Sequence, residues 1–298
     1  MSIPAAYFTV ILIWSTTPLA IQWSAQGAGF AFAVLARMII GLTLAALILV
    51  LWRKSMPLHA RARMSYLVGG LGMFGAMTLT YWGARFIPSG LLSVLFGLSP
   101  LITGALAWRW LAEASLTPAK VGGMLLGLAG LAVIFGDGHE LGGPRAVAGL
   151  LAILSAVLIY SATLVGLKRI GDDSPPLATT AGTLAVSLPL FTLVWWVTDG
   201  HFPAAMPTRA SAAIGYLGVF GSVLGFALYY YVIKHMEAGN VSLITLITPV
   251  LALLLGHWVN DETVTAQVWT GTACIGLGLT LHQWRALSEG FGRMKSQL

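Results

Sequence analysis

Acidic side chains are scarce in this sequence: ten Asp and Glu in 298 residues, with charged groups of either sign making up 9%. So few ionisable groups cannot clothe a water-soluble surface of this size, which excludes an ordinary soluble enzyme or binding domain. Cysteine is nearly absent as well. Cys274 stands alone, so neither a disulfide framework nor a cysteine metal site is available. Missing too are an HExxH pair, a phosphate-binding loop and the paired acids that a protease would need.

What fills the chain is apolar, 57% of it, with a mean hydropathy of +0.85. About 20 helical residues cross a ~30 Å hydrocarbon layer. Stretches of that kind occur ten times, at roughly 3–23, 30–52, 66–85, 88–110, 118–136, 147–168, 177–198, 211–234, 239–259 and 265–285. No strict alternation of polar and apolar residues accompanies them, which argues against a barrel. The expected fold is therefore an all-α membrane protein of ten transmembrane helices.

A pI near 9.7 suggests nucleic acid at first sight, but the Lys and Arg residues fall in the short connections between apolar stretches. That is a topology signal rather than a nucleic-acid footprint. With a cytoplasmic N-terminus, twelve lie in inside segments, Arg53, Lys54 and Arg169 among them, and only Arg85, Arg145 and Arg209 lie outside. Both termini are thus expected in the cytoplasm, and Arg37 is left as the single Lys or Arg within a span. The first span is read as part of the fold rather than a signal peptide, since no basic residue precedes it.

Residues 92–113, LSVLFGLSPLITGALAWRWLAE, and 241–262, VSLITLITPVLALLLGHWVNDE, share a grammar. A displacement of 149 positions superposes Gly69 on Gly218, Tyr81 on Tyr230, Ser93 on Ser242, Pro100 on Pro249 and Glu113 on Glu262. Chance similarity between membrane segments would match Leu and Val instead. The chain divides into a five-span half over 1–140, a second over 141–286 and a cytoplasmic tail over 287–298. Five is odd, so the second half enters the bilayer from the opposite side: an inverted repeat of the kind found in secondary transporters, with a site near the midplane.

The Trp14-Ser15 pair, the second span FAVLARMIIGLTLAALIL, mid-span Pro100 and Pro249, and Glu113 and Glu262 before glycine-bearing spans together resemble the drug/metabolite transporter superfamily, with two EamA-type halves. Within it the chain is most similar to bacterial exporters of amino acids, the aromatic ones in particular. The resemblance implies a bacterial inner-membrane protein, four helices of each half around a central cavity, and a peripheral fifth and tenth helix. Gly182 or a neighbour stands where Arg37 would recur, so the two faces of the cavity are not chemically equivalent.

Each mid-span proline frees the carbonyl four residues earlier, those of Phe96 and Thr245. Such acceptors at membrane depth must meet a neighbour or a wet cavity. Either hydroxyls of Ser93 and Thr248 repair them or substrate does. Ser93, Phe96, Pro100 and Thr103 share a helical face, as do Ser242, Thr245, Pro249 and Ala252. Trp14 with Thr17 and Tyr160 with Thr163 form matching stripes at mid-depth. Phe74, Met77, Thr78 and Tyr81 occupy the third span, Phe226 and Tyr230 the eighth. Arg37 either binds a substrate carboxylate or braces the fold. The candidate substrate-binding set is Trp14, Thr17, Arg37, Phe74, Thr78, Phe96, Ser99, Tyr160, Thr163, Phe226, Asn240, Ser242 and Thr245, with Tyr81, Pro100, Tyr230 and Pro249 as hinges or gates. Gly123 with Gly127 and Gly221 with Gly225 have the spacing that permits close helix approach or dimerisation. Gly97-Leu98-Ser99 with His257 is rejected as an intramembrane protease pair because Ser99 precedes a proline.

No Asp or Glu falls inside a span. A proton relay needs one, so the expectation is an uncoupled exporter of neutral amino acids, aromatic ones included, with no cofactor or metal. Its partners are the small-molecule substrate and the lipid bilayer, not nucleic acid, and a monomer suffices without a homo-oligomer. A lipophilic drug or organic-cation exporter is the alternative, and from another class an intramembrane enzyme or a non-transporting scaffold. The topology is open to direct measurement. Single cysteines placed in 53–64 and in 199–210 should react with an impermeant thiol reagent from opposite sides of the membrane, and labelling from a common side would refute the inverted arrangement.

Overall fold

The computed structural model describes residues 2–111, 117–135, 144–236, 241 and 244–282, and the regular elements among them are all helical. They are α1 (Ile3–Ala25), α2 (Phe30–Leu51), α3 (Ala60–Gly83), α4 (Ser89–Phe96), α5 (Ser99–Leu111), α6 (Pro118–Phe135), α7 (Pro144–Ile170), α8 (Pro176–Thr198), α9 (Thr208–Tyr216), a π-helical segment (Leu217–Leu224), α10 (Gly225–His235), α11 (Ile244–Asn260) and α12 (Ala266–His282). Helix is found in each of the ten apolar stretches. Six stretches are both long and apolar enough to cross a membrane: Ile3–Ala25, Phe30–Leu51, Ser89–Leu111, Arg145–Ile170, Pro176–Thr198 and Thr208–His235. The chain is a multi-pass membrane protein. Of the rest, α3 has 24 residues but carries Arg61 and Arg63 in its first turn, and α11 and α12 have 17 each.

The two mid-span prolines, equivalent in sequence, act differently. Pro249 lies inside the continuous α11. Ahead of Pro100 the helix instead breaks at Gly97 and Leu98, where Leu98 N–H turns back to the Leu95 carbonyl at 3.1 Å. Pro100 cannot donate to Phe96, which removes the helical bond that would span this turn. This break interrupts the single face expected from Ser93 to Thr103: Ser93 and Phe96 line the cavity described below, and Pro100 and Thr103 do not. Pro18 and Pro189 also lie inside helices, α1 and α8.

Glu262 reaches across to the start of α4. Its carboxylate accepts from the Ser89 amide at 3.2 Å, the Ser89 hydroxyl at 2.6 Å and the Gly90 amide at 3.1 Å, and also from Asn260 Nδ2 at 2.9 Å. An acid at a helix N-terminus satisfies orphan donors and complements the helix dipole. Its repeat mate Glu113 lies outside the described residues.

Glycines set the close contacts. α6 and α12 pack chiefly on each other. A Cβ at Gly271 would stand 2.6 Å from the Gly130 carbonyl oxygen, and one at Gly278 would stand 2.6 Å from that of Gly123. The small-residue spacing on α6 thus serves approach within the chain. Gly271→Ala should cost about 1–3 kcal/mol because a backbone atom cannot yield, seen as a lower melting temperature of the detergent-solubilised protein. Gly276→Ala, in the same helix with nothing within 4 Å of its Cβ, should not lower it.

Candidate functional site

A cavity of about 90 Å³ lies where seven of these elements meet. Trp14, Thr17, Pro18 and Ile21 wall it from α1, Arg37 from α2, Met77 and Thr80 from α3, and Leu92, Ser93 and Phe96 from α4. Tyr160 of α7, Phe226 of α10 and Thr248 of α11 complete it. The α1 residues recur at three- and four-residue intervals, the signature of one helical face.

Aromatic rings form one side. Tyr160 packs edge-on against Trp14, with centroids 6.0 Å apart, and against Phe96 at 6.2 Å. Tyr229 stands behind them, 5.0 Å from Trp14 and 5.9 Å from Tyr160. Offset and edge-on contacts of this kind are favourable beyond their burial and hold the rings in place. The Thr17 hydroxyl is spent on the Ile13 carbonyl at 2.8 Å, whereas the Thr80 hydroxyl is buried with no hydrogen-bond partner among the described residues.

Arg37, 2% exposed, enters the same lining from α2. Its Nε donates to Ser222 Oγ at 2.8 Å, and Nη1 reaches the Tyr81 hydroxyl at 3.4 Å and lies 3.9 Å from Met77 Sδ. Ser222 belongs to the π-helical segment, whose small residues make the space: a Cβ on Gly221 would stand 2.9 Å from Nη2. Among the described residues no carboxylate lies within 4 Å of the guanidinium; the one such pair is His59 with Asp172. A buried cation held only by neutral groups is incompletely compensated. Arg37 therefore offers an incoming anion a fixed, partly desolvated fork of donors.

Of the residues singled out from sequence, Trp14, Thr17, Arg37, Phe96, Tyr160 and Phe226 line the cavity. Four others do not, which corrects the sequence-based set. Phe74 packs against the Phe191 ring at 5.2 Å. Thr163 turns its hydroxyl to the Ile159 carbonyl beside Gly72, in the α3–α7 contact. Thr78 is half-buried outside the lining with its hydroxyl enclosed, and Ser99 is fully buried with its carbonyl accepting from Ser161. Phe74, Thr78 and Thr163 each share a helix with a lining residue, but helix–helix packing selects a face rotated from the one assumed; Ser99 starts α5, which contributes nothing to the lining. His257 is exposed at the end of α11. Asn240, Ser242 and the side chain of Thr245 lie outside the described residues.

Tyr81 and Tyr230 are both buried and occupy separate clefts. Tyr81 shares one with Gln22, Gln26 and Arg85. Tyr230, bonded to Thr183 at 3.0 Å, shares the other with Ser65, Asp172 and Lys234. Sequence reasoning missed Pro18, Thr80, Tyr229 and the π-helical segment. Pro18 had a readable signal, a proline well inside the first span. The π turn had none. Where Arg37 has no counterpart, at Gly182, the Tyr66 ring fills the space, its Cγ 2.4 Å from where a Cβ would stand.

Comparison with known proteins follows the same lines. The uncharacterized inner membrane transporter YedA of Escherichia coli strain K12 is 25% identical over 93% of this chain and 89% of its own. A protein of Streptantibioticus cattleyicolor named as a probable terminal-alkyne amino-acid exporter is 28% identical over 86% of this chain and 85% of its own. A protein of known crystal structure, 24% identical, has the same fold, with a TM-score of 0.71 over 96% of this chain and 98% of its own. The EamA-like transporter family model matches twice, over residues 2–136 and 147–282, and the chain belongs to that family.

Proposed function

We propose that this transporter exports neutral amino acids, aromatic ones included, across the bacterial inner membrane. It works by alternating access between two inverted five-helix halves of a ten-helix protein, with both termini cytoplasmic. The observation that carries the substrate reading is Arg37: a buried guanidinium with no carboxylate partner among the described residues, in a cavity that aromatic rings also line. A carboxylate supplies the missing charge, and rings suit an apolar side chain. The Streptantibioticus relative supports the same substrate class. Two matches of one family model support the repeat. The cross-element contacts support the topology, since each joins residues that the charge pattern assigns to one side: Glu262 with Ser89, and His59 with Asp172.

An organic cation fits less well, because the cavity lining holds a cation and no carboxylate. Tyr81 and Tyr230, one in each cleft, are the gating residues of this reading, with the break before Pro100 and the proline of α11 as hinges. None of the described lining groups is an acid, so transport runs down the substrate's own gradient.

The test is counterflow in proteoliposomes with a panel of labelled amino acids, with and without a pH gradient. Phenylalanine or another neutral amino acid should exchange without stimulation by the gradient. Arg37→Gln should slow exchange at sub-saturating substrate by about 10- to 100-fold, the value of a charge-assisted hydrogen bond. Exchange of a quaternary ammonium probe but of no amino acid would overturn the substrate reading, and strong stimulation by the gradient would overturn the uncoupled mechanism.

A further inference from the structure

We propose that the main-chain carbonyl of Trp14, released by Pro18, receives the α-ammonium group of the substrate, so that the cavity selects zwitterions over either singly charged form. The proposal rests on the amino-acid reading above and adds the element that recognises the amine.

Pro18 lies inside α1, which continues on both sides of it. A proline nitrogen carries no proton, so the Trp14 carbonyl loses the donor four residues ahead that every other interior carbonyl would have. The side chains nearby do not replace it. Thr16 and Thr17 both send their hydroxyls to the Ile13 carbonyl, at 2.8 Å each, rather than to that of Trp14. A helical carbonyl points along the axis toward the residues three and four positions on. Here those are Thr17 and Pro18, and both wall the cavity. The acceptor therefore emerges at the cavity's edge, in surroundings where an unpaired carbonyl is costly.

A second acceptor of the same origin is near. The Phe96 carbonyl has lost its donor to Pro100, and Phe96 also lines the cavity. Trp14 and Phe96 pack against the same ring, Tyr160, at 6.0 and 6.2 Å. Two carbonyls that proline deprives of their regular helical donor, together with a cluster of π faces, attract an ammonium group without any carboxylate. Arg37, the charged group of opposite preference, enters from α2. One part of the lining thus offers donors and positive charge, another offers acceptors. A lone cation meets Arg37 as a repulsion, and a lone anion leaves the carbonyls unpaired. A zwitterion satisfies both.

The experiment is equilibrium binding of labelled L-phenylalanine to the full-length protein in detergent, competed by 3-phenylpropionate, which lacks the amine, and by phenethylamine, which lacks the carboxylate. Wild-type protein should bind phenylalanine at least about tenfold tighter than either competitor. Pro18→Ala supplies the missing N–H to the Trp14 carbonyl. It should weaken phenylalanine about tenfold while leaving 3-phenylpropionate unchanged. Equal affinity of the wild type for phenylalanine and 3-phenylpropionate sinks the proposal without any variant, so misfolding of Pro18→Ala cannot shelter it. Equal weakening of both ligands by Pro18→Ala sinks it as well. In either case, loss of phenylalanine binding in Arg37→Gln would keep the amino-acid reading standing. If no amino acid binds and none exchanges in liposomes, both readings fall together.

Discussion

A guanidinium does not lose its proton inside a protein, so Arg37 is a cation wherever the fold carries it. Placed within the second apolar stretch and 2% exposed, it forces its surroundings to adapt. The adaptation is visible in the opposite half of the chain. Gly218 and Gly221 let α2 approach the segment Leu217–Leu224, and Ser222 turns a hydroxyl to Nε. The π-helical winding there adds residues to the turn and brings small side chains to one side. These groups orient the cation without neutralising it. Under the proposed function this distinction matters: a full counter-charge would suit a brace, whereas neutral partners leave the charge available to a solute.

Arg37 was legible in the sequence because a lone arginine in an apolar run is anomalous by itself. So were Trp14 and Tyr160, whose equivalent places in the repeat distinguish them from interfacial aromatics. What was not legible is rotational. Periodicity says which residues of a helix share a face but not which face the neighbouring helices leave open. Phe74, Thr78 and Thr163 are one step round from Met77, Thr80 and Tyr160, and packing took them. The turn at Gly97 added a second loss, since a broken helix no longer carries its phase from Ser93 to Thr103. Tyr229 fell to a third cause: the repeat singles out Tyr230, which has Tyr81 as its mate, and ignores its neighbour.

Similarity between the halves does not extend to the chemistry of the cavity. At Gly182, near where a second arginine would stand, the Tyr66 ring fills the volume and its hydroxyl donates to the Pro57 carbonyl at 2.9 Å. Pro100 breaks its helix and Pro249 does not. A duplicated architecture therefore encloses a lining with one cation, on one side. Under the proposed mechanism this is a consistent division of labour: related shapes make inward and outward states close in energy, while an asymmetric lining fixes the orientation of the solute.

The ends of the bundle bear on the same balance. At one end Arg209 stacks on Trp23, 3.8 Å from the ring, and donates to the Val259 carbonyl at 3.4 Å. Trp23 Nε1 donates to Asn260 at 3.0 Å, and Glu262 caps α4. At the other end His59 Nε2 stands 3.7 Å from Asp172, Lys234 reaches the Asp173 carbonyl at 2.7 Å, and Lys168 reaches that of Met236. Both sets join segments far apart in sequence, and both are made of partly exposed polar contacts. Such contacts are worth about 0–1 kcal/mol apiece, unlike the glycine-lined seam between α6 and α12, where a single methyl group meets backbone. Under the proposed mechanism the difference is functional. The seam that must not open is built from close packing, and the mouths that must open in turn are closed by interactions that water can replace at little cost.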